Sequence, residues 1–563
     1  MSLEAVQSCI QWAKTNGGSI DERIEFKLDQ STGLHAITKS AIKDSKALIT
    51  IPKELLIVGG LAETHFGIKN PSQQNPNALL QLYVAKLKFG DACQEAVFYK
   101  PYLDLLPNTE DISTPYFWTS EELSALKGTD LLIKTERNLK KLVGEWFDVI
   151  AKVDAADEND TQFYLQSSSS PNFNVSDHIQ HAESLSWHSF SAYLWSTYIF
   201  SSRAFPELIF NDKSLENVNQ AFLFPIVDLL NHANGKKVKW HCVPPENALT
   251  FSTDEKLAAG DEVCNNYGDK SNEELLLGYG FAIPDNDFDT ATLTLRLPPG
   301  QIESFQVSGL KLEDMNLTEN SVNFTLNMAT PLPAELIEAF GILSKLTSEQ
   351  SVTTRSILEG TAQLNEIINQ KLAFFKKASK LKVSLGNPIK SQSCKAYLSG
   401  QKKIYQEASD FIKKYQRKQV KDTKPWSFKN TFKADKSFVN SLTLTFGVTK
   451  YEDLLTKGFL QQALLLWIVR VSNGGVESSV PKFLEDCIKD VAATIVVEKE
   501  DVQEFLPFYK SMFPQLSTKI PEIYGKGDWG IKKFIIAGTV IDRLVWTLPT
   551  SQEAFFFERQ PFK

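Results

Sequence analysis

The hydrophobic pattern of this chain changes along its length, from short apolar runs to long helical periods. Residues 20–58 contain short apolar runs separated by Gly, Asp and Lys, a pattern typical of strands joined by turns. Helical spacing follows over 77–195, strand-like runs return over 222–296, and long helical periods begin near residue 332. We therefore predict an α+β fold, in which a β-rich part is interrupted by helices and followed by an all-α domain.

The length of the chain favours several domains. Its 563 residues exceed what one hydrophobic core normally serves, so two or three domains are expected. Residues 1–100 and 216–300 are predicted to form the two parts of one β-rich domain. Residues 101–215 are predicted to form a helical insertion, and residues 301–563 a separate helical domain.

Several shorter patterns predict individual elements. Thr119, with Glu122 three residues later, is a helix-capping signal. Residues 159–177 are rich in Ser, Asn and Asp and are interpreted as a mobile loop, and the apolar run over 222–230 is interpreted as a strand. The most apolar segment, around 463–471, is too short to span a bilayer and contains an arginine, so it is interpreted as a buried helix.

Charge, apolar content and cysteine usage exclude several classes of protein. The formal net charge of −8 argues against a direct nucleic-acid function, and the chain has neither a secretory signal pattern nor a membrane-spanning run. Six scattered cysteines without a CxxC pair are typical of a reduced compartment, so a cytoplasmic location is expected. The close pairs His241/Cys242 and His178/His181 each lack a second pair, so we predict no metal site.

One string matches the dinucleotide-binding pattern GxGxxG, at Gly525, Gly527 and Gly530. That motif requires a buried strand before it, so that the following helix directs its N-terminus at a pyrophosphate. Here the preceding residues contain a proline and little strand character. We interpret the string as a loop leading into the last helix.

A basic stretch lies within residues 402–436. It holds eleven Lys or Arg and four acidic residues, a net charge of +7 in a chain that is acidic as a whole. Such a block is typical of a solvated helix face. The alternative is a docking surface for an acidic or RNA-bearing partner, and the sequence leaves both interpretations open.

The segment 224–281 carries the polar residues that point to chemistry. An apolar run ends in Asp228, Asn231 and His232, and the strings NNYG and GYGF follow with Tyr267 and Tyr279. The end of a buried strand is a suitable place for groups that bind a ligand. An Asn–His pair taken alone is more typical of a turn with a satisfied histidine.

The order of these motifs resembles the SET domain, in the subgroup typified by the Rubisco large-subunit lysine methyltransferase. An Asn–His pair, a downstream tyrosine and a following YGF occur there in the same order. The string STGLHA, ending at Ala36, resembles the glycine-containing cofactor loop, although Ser31 stands where the family usually has a first glycine. Similar strings at 102–107, 118–129 and 202–205 extend the resemblance over roughly residues 15–300.

The resemblance implies an S-adenosylmethionine-dependent protein-lysine methyltransferase. Residues 1–100 and 216–300 would then be the two parts of the SET domain, with the cofactor and lysine sites in the second part. Residues 301–563 would form a helical domain that binds the protein substrate. Fungal members that methylate ribosomal proteins or an elongation factor are the most similar, so a component of the translation machinery is the expected partner of a monomeric enzyme.

The resemblance also implies roles at the cofactor site. Arg203 would pair with the carboxylate of the methionine part, because a guanidinium can bind a carboxylate through two N–H groups. Phe281 would pack near the adenine. The remaining cofactor contacts are predicted at Gly33, Leu34, His35, Asn231, His232 and Tyr267.

Tyr267 is the predicted catalytic residue, its hydroxyl orienting the lysine amine and the electron-poor methyl group. The alternative for Tyr267 is a buried tyrosine that bonds a carbonyl. Tyr279 and Trp240 would line the lysine channel, since aromatic walls suit an alkyl ammonium. Asp228 would contact the substrate or hold the turn, and the sequence favours neither.

Two other functions are compatible with the same fold. A related class of SET enzymes methylates histidine, so the acceptor could be a histidine side chain. A SET-like scaffold could also act as a non-catalytic protein-binding module, but the presence of Asn231, His232 and Tyr267 argues against it. The identity of the target lysine and the number of methyl groups added do not follow from the sequence.

Overall fold

The structure is a computed structural model that describes most of the chain. The described residues are 2–29, 33–44, 46–182, 185–210, 219–243, 247–298, 300–310, 316–318, 320–347, 349–380, 385–476 and 479–558. Ser31, the departure noted in the predicted cofactor loop, lies outside them.

Helices and strands alternate in the first part of the chain, and helices dominate the last part, as the sequence predicts for an α+β fold. The α-helices are α1 (Leu3–Thr15), α2 (Gly59–Phe66), α3 (Ala78–Phe89), α4 (Gln94–Leu103), α5 (Ser120–Leu123), α6 (Asp130–Lys152), α7 (Glu158–Ser169), α8 (Phe190–Arg203), α9 (Asn272–Tyr279), α10 (Gln301–Val307), α11 (Ala334–Leu343), α12 (Thr354–Ala378), α13 (Pro388–Thr423), α14 (Phe428–Ala434), α15 (Lys436–Phe446), α16 (Tyr451–Thr456), α17 (Leu460–Ser472), α18 (Lys482–Thr494), α19 (Lys499–Lys519), α20 (Pro521–Tyr524) and α21 (Ile531–Leu544). The strands are β1 (Ser19–Ile20), β2 (Ile24–Asp29), β3 (Gly33–Thr38), β4 (Ile49–Pro52), β5 (Ala204–Pro206), β6 (Ala221–Leu223), β7 (Val238–Val243), β8 (Ala248–Thr253), β9 (Thr290–Arg296), β10 (Asn316–Thr318), β11 (Ser321–Asn327), β12 (Trp426–Ser427), β13 (Val545–Leu548) and β14 (Glu553–Phe556).

The chain forms two compact units. The first contains Met1–Thr290 and Ala378–Gln401, and the second contains Ala291–Lys377 and Lys402–Lys563. The sequence assigns all of 301–563 to one helical domain, whereas the structure includes Ala378–Gln401 in the first unit.

Contacts within the first unit explain why Ala378–Gln401 belongs to it. Lys390 Nζ lies 2.8 Å from the Glu122 carboxylate. Gly400 approaches Asp289 so closely that an added Cβ would lie 2.0 Å from a carboxylate oxygen. Contacts between residues this far apart in the chain leave no periodic signal, so the hydrophobic pattern could not assign the segment.

A four-stranded antiparallel sheet in the order β1-β4-β8-β7 lies in the first unit. In β4 every second residue is buried, with Ile49 and Ile51 pointing into the core, as the period-two pattern predicts. Strand β8 is buried throughout and pairs Phe251 with Ile49 on one side and with Trp240 on the other. This pairing brings the predicted channel residue Trp240 beside the core.

The hairpin of β2 and β3 carries the predicted cofactor loop. Its second strand is joined to a distant segment, because Thr38 N donates to Asp261 O (2.9 Å) and Val263 N donates to Ala36 O (2.8 Å). These bonds bring the loop next to the segment that leads to Tyr267. The string preceding Tyr267 pairs only through isolated bridges in the described residues, rather than as a strand.

The helical insertion has capped helices with one buried face. The predicted cap at Thr119 is confirmed, since Thr119 and Glu122 form a reciprocal capping box. In α6 the buried positions recur every three or four residues, including Leu139, Val143 and Trp146.

The predicted mobile loop over 159–177 is wrong, because most of it forms α7 and a 3-10 turn. The polar residues that suggested a loop instead begin the helix, since Asp157 and Asp160 form a reciprocal capping box. Phe163 then packs against Trp146. Cap residues and loop residues have the same composition, which is why the pattern was misleading.

The predicted strand over 222–230 is also largely wrong. Strand β6 ends at Leu223, and a 3-10 turn occupies Val227–Leu229. Between them Ile226 has φ 72° and ψ −48°, a conformation close to that of a γ-turn, which β-branched residues rarely adopt. Since the turn is buried, its residues are as apolar as those of a buried strand, and the sequence could not separate the two.

The second unit is helical with two small sheets, β10-β11-β9 and β12-β14-β13. The predicted buried helix around 463–471 is confirmed as α17, in which Arg470 is buried and paired with Asp435 at 3.2 Å. The glycine string after Tyr524 leads into α21, the last helix, as predicted. Among the described helices, none has the length and apolar character required to cross a bilayer.

Candidate functional site

A cavity of ≈ 520 Å³ in the first unit is lined by five of the eleven predicted site residues. Its walls come from the C-terminal end of α8, the turn before Leu230, strand β7 and the segment around Tyr267. The lining residues are Ser202, Arg203, Ala204, Phe205, Pro206, Asp228, Lys236, Lys237, Val238, Trp240, Asn265, Asn266, Tyr267, Gly268 and Tyr279.

Tyr267 is held on several sides at the wall of this cavity. Its hydroxyl donates to Leu230 O (2.8 Å), and its backbone N–H donates to His232 Nδ1 (3.0 Å). The ring stacks against His232 and Tyr279, with centroid distances of 5.0 and 4.8 Å. Burial raises the pKa of the Tyr267 hydroxyl above its ordinary value, so this side chain is neutral near pH 7.

The hydrogen bonds of His232 define its protonation. Nδ1 accepts from Tyr267 N–H, so the ring proton lies on Nε2, which donates to Asn234 Oδ1 (2.7 Å). Burial lowers the pKa of His232 from its ordinary value of 6.5. The histidine is therefore neutral at physiological pH and cannot accept a proton at Nδ1 without losing the bond to Tyr267.

The side chain of Asn231, which follows the 3-10 turn Val227–Leu229, is hydrogen-bonded to the predicted cofactor loop. Its Nδ2 donates to Leu34 O (3.1 Å) and to Glu262 Oε1 (2.9 Å). Gly33, next to Leu34, has φ 68°, and apart from its chain neighbours no described residue has an atom within 4 Å of the place where a Cβ would stand. His35 Nδ1 lies 3.0 Å from Gly33 O. The described part of this loop is thus held at Leu34, and no other described residue fills the space beside Gly33.

Arg203 and Asp228 form a buried pair beside the cavity. Arg203 Nη1 donates to Asp228 O (3.0 Å) and lies 3.4 Å from Asp228 Oδ2, which also accepts from the Tyr102 hydroxyl (2.8 Å). The Asp228 side chain is 0% exposed. Its burial raises the pKa of the carboxyl, while Arg203 and Tyr102 oppose that change. One oxygen of the Asp228 carboxylate, Oδ2, is therefore occupied by partners from the same unit.

Aromatic side chains complete the predicted channel. Trp240 packs edge-on against Phe205 at 5.5 Å, and its buried Nε1 has no partner among the described residues. Phe281 lies 6.1 Å from the ring of Tyr279, whose pKa is raised by burial to about 12. Both tyrosines near the cavity are thus uncharged at neutral pH.

The structure brings the predicted site residues into one connected group. Five of them line the cavity, namely Arg203, Asp228, Trp240, Tyr267 and Tyr279. The others are connected to it through hydrogen bonds or ring contacts, namely Gly33, Leu34, His35, Asn231, His232 and Phe281.

Sequence reasoning missed several residues of the cavity. Asn265 and Asn266 precede Tyr267 directly, and their position in that motif was the signal that could have found them. Asn265 N donates to Asn231 O (2.7 Å), and Asn266 Nδ2 donates to Lys236 O (3.0 Å). Tyr102 had no assigned role, since nothing in the sequence connects it with Asp228.

One group of potential metal ligands occurs in the described residues, formed by Asp157, Asp160 and His188. Asp157 and Asp160 each accept from the other's backbone N–H at the start of α7, and His188 Nδ1 lies 2.8 Å from Asp160 Oδ2. The group is accounted for as a helix cap, and it lies apart from the residues that line the cavity.

Comparison with known sequences gives strong matches. A family model described as the EFM1 middle domain matches residues 290–423. Protein-lysine N-methyltransferase EFM1 of Saccharomyces cerevisiae is 41% identical, over 99% of this chain and 98% of its own length. Ribosomal lysine N-methyltransferase 1 of the same organism is 29% identical, over 83% of this chain and 87% of its own length.

Solved structures share the fold. The SET domain of LSMT bound to lysine and AdoHcy superposes with a TM-score of 0.55 at 19% identity, covering 75% of this chain and 94% of that one. Identity this low supports the fold alone, whereas the full-length match at 41% supports the family. The chain therefore belongs to the family of SET-domain protein-lysine N-methyltransferases.

Proposed function

We propose that this protein-lysine N-methyltransferase acts in the cytoplasm on a component of the translation machinery, a ribosomal protein or an elongation factor. Its cofactor is S-adenosylmethionine, which supplies an electrophilic methyl group on a sulfonium. The substrate class is supported by similarity, since one relative is named a ribosomal lysine N-methyltransferase. The chemistry is supported chiefly by one observation, the stacked position of Tyr267 at the cavity wall.

The residues at the cavity suit this cofactor chemically. Arg203 lines the cavity with a guanidinium that can bind a carboxylate. The open space at Gly33 lets a ligand approach the backbone of the loop, which Asn231 fixes through Leu34 O. We assign the methionine part to Arg203 and the neighbouring contacts to the loop and to His232.

Tyr267 is assigned to the methyl-transfer point. Because its hydroxyl proton is given to Leu230 O at 2.8 Å, the lone pairs of the same oxygen are free to accept from polarised C–H or N–H groups. The bond also fixes the direction of the hydroxyl before substrate arrives. Orientation of the amine and the methyl group would be the contribution of this residue to the rate.

The lysine amine must be neutral before it attacks, since its ordinary pKa is about 10.4. The apolar surfaces of Tyr279 and Trp240 would shield the amine from part of its hydration, and desolvation of this kind lowers the pKa of an amine. Of the buried groups nearby, His232 is a poor base because its Nδ1 accepts a backbone N–H, and Asp228 Oδ2 is paired with Tyr102 and Arg203. We infer that the amine loses its proton to solvent before transfer.

The substrate can be tested directly. The protein is incubated with labelled S-adenosylmethionine and either purified ribosomes or purified elongation factor, from cells that lack this enzyme. Label on a lysine of a ribosomal protein or an elongation factor, located by mass spectrometry, is the expected result. Label on histidine, or only on proteins outside translation, would contradict the proposal.

A further inference from the structure

Tyr102 is a fully buried residue that the mechanism above does not use. It lies at the end of α4, in the part of the chain that the sequence assigns to the helical insertion, and its side chain is 0% exposed. Its hydroxyl donates to Asp228 Oδ2 at 2.8 Å. A donor from α4 therefore reaches the carboxylate that faces Arg203.

The Asp228 carboxylate has a limited set of partners. Tyr102 and Arg203 both contact Oδ2, while Oδ1 is buried without a partner among the described residues. A buried carboxylate is costly unless hydrogen bonds and an opposite charge compensate it. Loss of the Tyr102 hydroxyl would thus leave a single side chain, Arg203, to satisfy the charge.

Arg203 is held asymmetrically by this arrangement. Its Nη1 contacts both the backbone oxygen and the carboxylate of Asp228, whereas Nε and Nη2 form no bond to the described part of the chain. Since Arg203 also lines the cavity, its unused N–H groups are available to a ligand there.

The turn that carries Asp228 is itself strained. Ile226, two residues earlier, is 0% exposed and has φ 72°, a conformation that is unfavourable for a β-branched residue. Such a conformation persists only where the surrounding contacts determine it. The position of Asp228 is therefore set by the fold and not by the ligand.

We propose that Tyr102 and Asp228 are positioning residues that hold Arg203 at one nitrogen, so that its other N–H groups receive the carboxylate of the methyl donor. Tyr102 fixes the carboxylate of Asp228, and Asp228 fixes the guanidinium. This inference rests on the proposed function for the assignment of the methionine carboxylate to Arg203.

The test compares two ligands that differ only in the carboxylate. Dissociation constants for S-adenosylhomocysteine and for its decarboxylated analogue are measured by calorimetry with wild type and Tyr102→Phe. Tyr193→Phe is the matched control, because Tyr193 is also fully buried and donates to a carboxylate, Glu145 Oε1, at 2.6 Å. Each substitution removes one hydroxyl and retains the ring.

Tyr102→Phe is expected to raise the dissociation constant of S-adenosylhomocysteine about tenfold, which is the usual effect of losing a hydrogen bond to a charged group. The dissociation constant of the decarboxylated analogue from Tyr102→Phe should lie within about twofold of the wild-type value. Tyr193→Phe should leave the dissociation constants of both ligands unchanged. Equal weakening of both ligands, or of neither, would overturn the positioning role. Equal thermal stability of the two Phe variants would exclude general unfolding as the cause.

Arg203→Lys separates this inference from the proposed function. If Arg203 binds the carboxylate, Arg203→Lys should no longer bind S-adenosylhomocysteine more tightly than its decarboxylated analogue. Adding Tyr102→Phe to this variant should then cause little further loss of affinity, because both changes act on one contact. Independent, additive losses would overturn the positioning role. An unchanged ligand preference in Arg203→Lys itself would show instead that the carboxylate assignment had failed.

Discussion

The hydroxyl of Tyr267 donates to Leu230 O, its one partner among the described residues, and the residue lines the cavity. We expect Tyr267→Phe to lower kcat by about tenfold to a hundredfold, because it removes a contact that matters mainly in the transition state. The dissociation constant of S-adenosylhomocysteine should change by less than about threefold. Single-turnover rates and calorimetry measure the two quantities, and an unchanged rate would remove Tyr267 from the catalytic group.

The pH dependence of the reaction follows from two groups. Between about pH 7 and 9 the rate should rise, because the neutral amine is the nucleophile and its ordinary pKa is about 10.4. The pKa of His232 is lowered below 6.5, so the stability that this neutral histidine provides is complete above pH 6.5 and is lost as the pH falls through the folded pKa. Cofactor affinity should decline over that same acidic range.

The pH series has a clear control. His232→Gln cannot titrate, so its cofactor affinity should be lower than that of wild type but independent of pH below neutrality. A rate maximum for wild type near pH 6.5 would instead indicate a histidine base.

At the scale of elements, the close contact of α13 with Asp289 can be tested by a substitution that changes stability. Asp289 accepts from Asn272 N (3.0 Å) and Asn272 Nδ2 (3.1 Å) at the start of α9, the helix that ends in Tyr279. An added methyl at Gly400 would meet the Asp289 carboxylate, so Gly400→Ala should destabilise the protein by about 1–3 kcal/mol.

The matched control for this change is Gly144→Ala in α6. Both glycines lie inside helices, but at Gly144 no atom of the described residues outside the local helix backbone and the chain neighbours lies within 4 Å of a Cβ. Alanine there should therefore be neutral or stabilising by up to about 1 kcal/mol. Urea unfolding curves measure both variants. Equal effects at Gly400 and Gly144 would show that the Asp289 contact does not constrain α13.

The sequence predicts elements well where one period covers the whole element. Helix α6 and strand β4 are recognisable for this reason. The polar residues from Asn231 to Tyr267 are recognisable instead by their order, which resembles that of the family. The turn at Ile226 is not, because its apolar residues are buried in a conformation that leaves no period. The bond from Tyr102 to Asp228 joins residues 126 positions apart, and no local pattern carries such information.

At the scale of the whole molecule, the basic stretch within 402–436 is the remaining candidate for substrate recognition. In the C-terminal part of α13, Lys414, Arg417 and Lys418 are exposed, and Lys413 lies 3.7 Å from Asp410. The chain is acidic overall, so a local excess of positive charge would guide an acidic surface of the substrate toward the second unit. We propose that this stretch contributes to the binding of the protein substrate and not to the chemistry.

Charge reversal of this stretch tests the idea. Replacing Lys413, Lys414, Arg417 and Lys418 with Glu should raise KM for the whole protein substrate severalfold at low salt, and leave kcat and cofactor affinity unchanged. The difference should shrink as salt is added, because the screening length falls from about 10 Å at 0.1 M to about 3 Å at 1 M. The control variant has the same net charge, because four exposed lysines elsewhere in the second unit are replaced with Glu, namely Lys482, Lys489, Lys526 and Lys532. Its KM should stay close to that of wild type. Equal KM values for both variants at every ionic strength would identify the basic stretch as solvated surface, because only a docking role makes the position of the charge matter.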